Sequence, residues 1–191
     1  MSSSDPWNLD TNLTAIRQQW VGFFALCEKE DVFRASSPEV SAWDVGQHVK
    51  HCAIALNRIV DAIEFLIANP EEGVGLGPSF DFVIPMLESG EIPRGMGKAI
   101  EFLIPEANPN RADTRAMVEH AQALWDGLSK RRADLLGTQA TFAHFRLGNF
   151  TAVQWARFMA VHTAHHFKIV RDILDAAELA TPFDERLHAV G

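Results

Sequence analysis

His162 and His166 are the residues whose type and spacing point most directly to chemistry. They lie in a run of helix-forming sequence from Trp155 to Leu174, and two imidazoles four positions apart share one helix face. At about 100° per residue, Trp155, Phe158, Ile169 and Ile173 fall within about 40° of His162, while Lys168 and Arg171 point away. The pair therefore belongs to the buried side of its helix, where a polar ring without a partner is costly. An i, i+4 histidine pair is also the usual way for one helix to give a metal ion two ligands. The zinc-protease version needs a glutamate after the first histidine; Thr163 stands there, which excludes that reaction. A third ligand has to come from another helix, and His48 and His51 are the candidates. Helical phase favours His48, nearer the middle of the Cys52, Ile59 and Ile63 stripe, and puts His51 at its edge.

Four long amphipathic segments exist to position these side chains. The first runs from Thr11 to about Phe33, with Leu13, Ile16, Trp20 and Phe23 at helical spacing and Asp10 as its expected N-cap. A short loop, Arg34 to Glu39, leads to the second, from Ser41 or Ala42 to about Asn69, where Pro70 ends it. So short a connection predicts antiparallel neighbours. The third runs from Asp113 or Thr114 to Leu136, with Gly137 as a stop, and the fourth from Thr151 to about Ala180. Thr151 and Gln154 form a capping-box pattern ahead of the fourth. Thr138 to Phe150 is expected to be an aromatic-rich loop and Thr181 to Gly191 a tail. Pro70 to Arg111 holds six of the twelve glycines and six of the nine prolines, together with apolar pieces. It predicts a long crossover with one or two short helices, packed over the end of the bundle. Gly73, Gly75 and Gly77 follow no strand and are read as a turn, not a phosphate loop. The expectation is an all-α four-helix bundle, a single domain with its core over about residues 10–180.

The composition agrees with a globular chain: 191 residues, 47% hydrophobic, with 25 acidic against 17 basic residues and a net charge of −8. That balance argues against nucleic acid or an anionic membrane as partner. Met1 to Asn8 has no signal-peptide pattern, no stretch is apolar enough for a membrane span, and Cys27 and Cys52 make no disulfide framework, so a cytoplasmic location is expected.

Trp43-Asp-Val-Gly-Gln-His-Val-Lys-His51 at the head of the second helix resembles the second-helix signature of the DinB-like four-helix-bundle superfamily. Thr151-x-x-x-Trp155 followed by His162-x-x-x-His166 resembles its fourth-helix signature. Ile92-Pro-Arg-Gly-Met-Gly-Lys, with Phe102-Leu-Ile-Pro after it, resembles the crossover of a branch of that superfamily with no assigned activity. The resemblance implies a three-histidine metal site, carried here by His51, His162 and His166. It also implies zinc or nickel as the divalent ion, and a crossover that leaves the second and third helices parallel. His48 and His165 are expected to stand behind the ligands; His144 is a loop residue, and His120 and His188 belong to the surface or tail. Some relatives are transferases or isomerases dependent on a low-molecular-weight thiol.

Two functions follow as expectations. One is a metal-dependent thiol S-transferase or hydrolase of a small molecule. The other is a non-catalytic bundle with a structural or sensory metal, or with no metal. A homodimer is expected from the exposed bundle faces.

Overall fold

The computed structural model describes residues 5–95, 97–188 and 190; Glu185 and His188 are described by backbone alone. Met1 to Ser4, Met96 and the surface-or-tail assignment of His188 lie outside the described residues or side chains. Four long helices carry the architecture: α1 (Leu9–Leu26), α3 (Val45–Ala68), α5 (Arg111–Ser129) and α7 (Ala152–Ala176). Between them lie three short helices, α2 (Glu30–Phe33), α4 (Val83–Ser89) and α6 (Arg132–Gly137), and a hairpin of β1 (Phe142–His144) and β2 (Gly148–Phe150). Among the described residues no helix is long and apolar enough to cross a membrane.

The hydrogen bonds between helices establish their directions. Lys50 and Gln47 near the start of α3 reach Glu106, just ahead of α5, while Glu64 and Leu66 near its end meet Arg131 and Thr138 beyond α5. α3 and α5 are therefore parallel, as the long crossover requires. Arg111 and Arg132 bracket α5 and bind the far and near ends of α1 respectively, so those two run antiparallel. Asn12 meets Arg157, Gln19 meets the Ala160 carbonyl, and Phe23 packs on Phe167, which makes α1 and α7 parallel. α1 packs mainly against α5 and α7 and meets α3 only glancingly. The short connection therefore spans the bundle's diagonal and does not join close neighbours, contrary to the expectation from loop length.

Several helix ends depart from the sequence reading. Asn8, not Asp10, caps α1 by accepting from the Thr11 N–H, and Asp10 instead pairs with Arg132. The first helix stops at Leu26, where the Cys27 and Glu28 carbonyls turn to the Arg111 guanidinium, and the chain re-enters as α2 to bury Phe33. Phe33 fits because residue 46 is glycine: a Cβ there would stand 2.5 Å from the ring. α5 starts earlier than expected, capped by Asn110, and breaks at Lys130 so that α6 can cross towards α3 and α7. The capping boxes of α3 (Asp44 with Gln47) and α7 (Thr151 with Gln154) both form.

Two segments gain order from tertiary contacts alone. The supposed aromatic loop is the hairpin β1–β2, and it also docks on the crossover: Ser79 donates to the Leu147 carbonyl at 2.8 Å and Asn149 to Gly77 at 3.0 Å. Gly148, at φ +90°, permits that approach; a Cβ would fall 2.3 Å from the Ser79 nitrogen. The C-terminal tail packs back on the bundle, burying Leu187 and Val190.

Arg157 ties these parts together. It is 2% exposed, with Nε donating to the Leu87 carbonyl at 2.8 Å and Nη2 to Val190 at 2.9 Å and Glu88 at 3.2 Å, while Nη1 reaches Asn12 Oδ1 at 3.3 Å. One planar fork thus joins α7, the end of α4, α1 and the tail. Arg157→Ala strands these acceptors and is expected to cost about 3 kcal/mol, lowering Tm by roughly 10 °C. Arg157→Lys should restore only part of the loss in a urea or thermal unfolding comparison, because an ammonium cannot span the same acceptors.

Candidate metal centre

α3 and α7 run antiparallel side by side, so histidines three apart on α3 meet histidines four apart on α7. His51 faces His162, with the two Nε2 atoms 3.3 Å apart, and His48 faces His166, with the two Nδ1 atoms 2.9 Å apart. One ligand nitrogen from each of His51, His162 and His166 lies within 4.8 Å of the others. Two nitrogens held about 2.0–2.1 Å from one tetrahedral ion stand roughly 3.3 Å apart, so the His51–His162 separation fits such an ion.

The remaining ring nitrogens show how the rings are held. His51 Nδ1 donates to the Leu103 carbonyl at 2.8 Å, which leaves its Nε2 as a lone pair. For His166 Nε2 to be free in the same way, its Nδ1–H donates to His48 Nδ1. His48 Nε2–H then donates to Ser41 Oγ at 2.9 Å. Ser41 Oγ also accepts from the Trp43 N–H at 3.1 Å, and the Trp43 ring packs on His51 and His48 with centroids 5.0 and 5.5 Å away. Phe158 stacks on His162 at 5.5 Å. His51 is thus oriented by the crossover and His166 by the segment preceding α3.

Burial keeps all of these rings neutral. It lowers His48 to about 3, helped by His51, His165 and Arg94. It holds His162 and His166 well below the usual histidine value, with the neighbouring histidines adding to the effect. His51 is lowered too, the Leu103 carbonyl opposing burial. Three neutral imidazoles with converging ring nitrogens are a suitable donor set for a divalent ion.

The other sequence candidates fall as follows. His165 is half-buried and bonds the Ile92 carbonyl, touching His166 edge-on but offering nothing to the cluster's centre. His144 lies in β1, where Nδ1 accepts from the Arg146 and Leu147 N–H groups and the ring joins Trp155 and Phe158 on the cleft wall. Burial lowers it to about 4. His120 is exposed on α5. Burial pushes the Cys27 thiol up to about 11 and raises Cys52 as well, so neither is a thiolate at neutral pH. Thr163 faces the core away from the cleft. Sequence reasoning missed Ser41 and the Leu103 carbonyl. A serine in a loop and a backbone oxygen 52 residues from His51 carry no pattern that would single them out.

His162 opens onto a cleft of about 1330 Å³ that the crossover and hairpin complete and that aromatic and aliphatic side chains mostly line. A four-helix bundle with a three-histidine cluster at one seam is the class of protein defined here. A family model of the DinB superfamily matches residues 12–170, and the chain belongs to that superfamily. No curated protein and no solved structure matches it.

The buried histidines make stability depend on pH. Their folded pKa values lie below the unfolded value near 6.5, so beneath it the unfolded chain binds more protons. The contribution is complete above about pH 6.5 and is lost as pH falls from there towards the folded value, about 3 for His48. At pH 5, His48 alone costs about 2 kcal/mol. Metal-free protein is expected to melt several degrees lower at pH 5.0 than at pH 7.5, and His48→Gln to narrow that gap. Equal melting temperatures at the two pH values would contradict a neutral buried cluster.

Proposed function

We propose that this protein is a divalent-metal-dependent enzyme acting on a small molecule, with His51, His162 and His166 as ligands and the cleft as its substrate chamber. The observation that carries the reading is the convergence of three neutral imidazoles at the wall of that cleft, His51 and His166 each oriented through the other ring nitrogen. A bound zinc or nickel ion would supply Lewis acidity, lowering the pKa of a thiol or water at its open position.

The chain's own residues favour thiol transfer over hydrolysis. The carboxylates nearest His51 in sequence are ill placed to act as a base: Asp44 caps α3, Glu64 pairs with Arg131, and Glu39 does not line the cleft. Asp61 does line it but is largely exposed and beside Arg58. A thiol, with a pKa near about 8.5, needs far less help to ionise than water does. Trp43, Trp155 and Phe158 give the cleft an apolar wall beside the histidines. The thiol-dependent relatives implied by the sequence motifs support the same choice.

Elemental analysis of protein purified without a histidine tag is the direct test. About one zinc or nickel per chain is expected, lost in His51→Ala and in His162→Ala. Ser41→Ala should keep the metal but bind it about tenfold more weakly, because it loosens the His48–His166 arm. Protein that contains no metal and takes up neither zinc nor nickel would overturn the reading.

A further inference from the structure

The charges around the cleft do not follow the charge of the chain. In a sequence with 25 acidic and 17 basic residues, the described side chains lining this opening include Arg58, Arg94, Lys98 and Arg146 but, among carboxylates, only Asp61. Two of the cations are matched: Arg58 lies 3.7 Å from Asp61, and Arg94 is paired with Asp172. Lys98 and Arg146 have no carboxylate at ion-pair distance among the described residues. They come from different parts of the chain, the crossover and the hairpin turn, yet Arg146 Nη1 reaches the Lys98 carbonyl at 3.5 Å. The fold therefore brings these two cationic residues into contact at the mouth of this cleft.

The same rim exposes large apolar rings. Phe102 is 62% and Phe80 52% exposed, Phe80 stacks on Phe82 at 5.5 Å, and Phe145 stacks on the His144 ring at 4.4 Å. A contiguous exposed apolar surface that leads into a cavity marks a binding site.

We propose that the cleft takes a ligand with an apolar body and one anionic group, a carboxylate or a phosphate, held at the mouth by Lys98 and Arg146. This names the substrate class of the chamber described above and rests on that chamber being the ligand site; it does not require the metal. The apolar body lies along Phe102 and the aromatic wall, and its far end approaches the three histidines.

The test is binding of four probes with one alkyl chain: decanoate, decyl phosphate, decan-1-ol and decyltrimethylammonium. It is read by the fluorescence of Trp43 and Trp155 and by calorimetry, on protein treated with chelator and on zinc-loaded protein. Decanoate and decyl phosphate are expected to bind one per chain, roughly tenfold tighter than the alcohol in both forms, with the cation weakest and added salt eroding the difference. The ratio of the two anions reports which head group is preferred. K98Q/R146Q should bring the anions level with the alcohol, and K98E/R146E should reverse the order in favour of the cation. Both positions are exposed, and circular dichroism checks that each variant folds.

Decanoate and decyl phosphate binding no tighter than decan-1-ol would overturn the proposal. So would an anion preference that survives K98Q/R146Q but disappears on chelation, since the head group would then sit on the metal; that outcome leaves the metal reading intact. An anion preference that depends on Lys98 and Arg146 in a protein that takes up no metal would do the reverse, sustaining this inference while the metal reading fails.

Discussion

Four imidazoles packed between two helices, three of them buried, are the constraint from which much of the architecture follows. A neutral histidine in an apolar seam must find partners for both ring nitrogens, and the α3–α7 interface alone cannot supply them. It supplies the inner contacts, His51 to His162 and His48 to His166. The outer ones come from elsewhere: the Leu103 carbonyl from the crossover and Ser41 from the turn before α3. Each outer partner fixes a tautomer, and each tautomer leaves a lone pair aimed inward. The Leu103 carbonyl and Ser41 thus hold His51 and, through His48, His166 with a ring nitrogen facing the His162 side of the seam.

This dependence explains why so much irregular chain is held in order. With α3 parallel to α5, the chain has to travel the length of the bundle between them, and that path becomes the roof of the cleft. The roof is tied down at separated points: Leu103 to His51, Ile92 to His165, Glu106 to Lys50, and the backbone around Ser79 to the hairpin. Arg157 performs the same service at the other side, holding α4 and the tail against α7 through the carbonyl groups of Leu87, Glu88 and Val190. Every arm of the guanidinium fork is used, which offsets the cost of burying its charge.

The site also shows how a chain with excess negative charge can present a locally positive opening. Several acidic side chains on the outer helix faces, among them Glu30, Glu64, Glu119 and Asp134, are paired with arginines. The cleft mouth is built from the crossover and hairpin, which bring Lys98 and Arg146 together with exposed aromatic rings.

Read by itself, the sequence determined what local periodicity can encode. The 3.6-residue stripes marked four long helices, the Thr151–Gln154 pattern marked the start of α7, and the His162–His166 spacing marked one side of the site. The family motifs selected His51 where helical phase leaned towards His48; the antiparallel meeting of α3 and α7 puts His51 opposite His162 and leaves His48 to support His166. Only the tertiary structure decided the rest. The break before α2 depends on Phe33 packing over Gly46, and the hairpin depends on the crossover backbone at Gly77 and Ser79, more than sixty residues away. Docking of the tail depends on Arg157, and the diagonal placement of α1 and α3 on which stripes fit one another. Ser41 and the Leu103 carbonyl became part of the site for the same reason. Their roles are hydrogen bonds closed by long-range packing, and such bonds leave no periodic trace in the residues that make them.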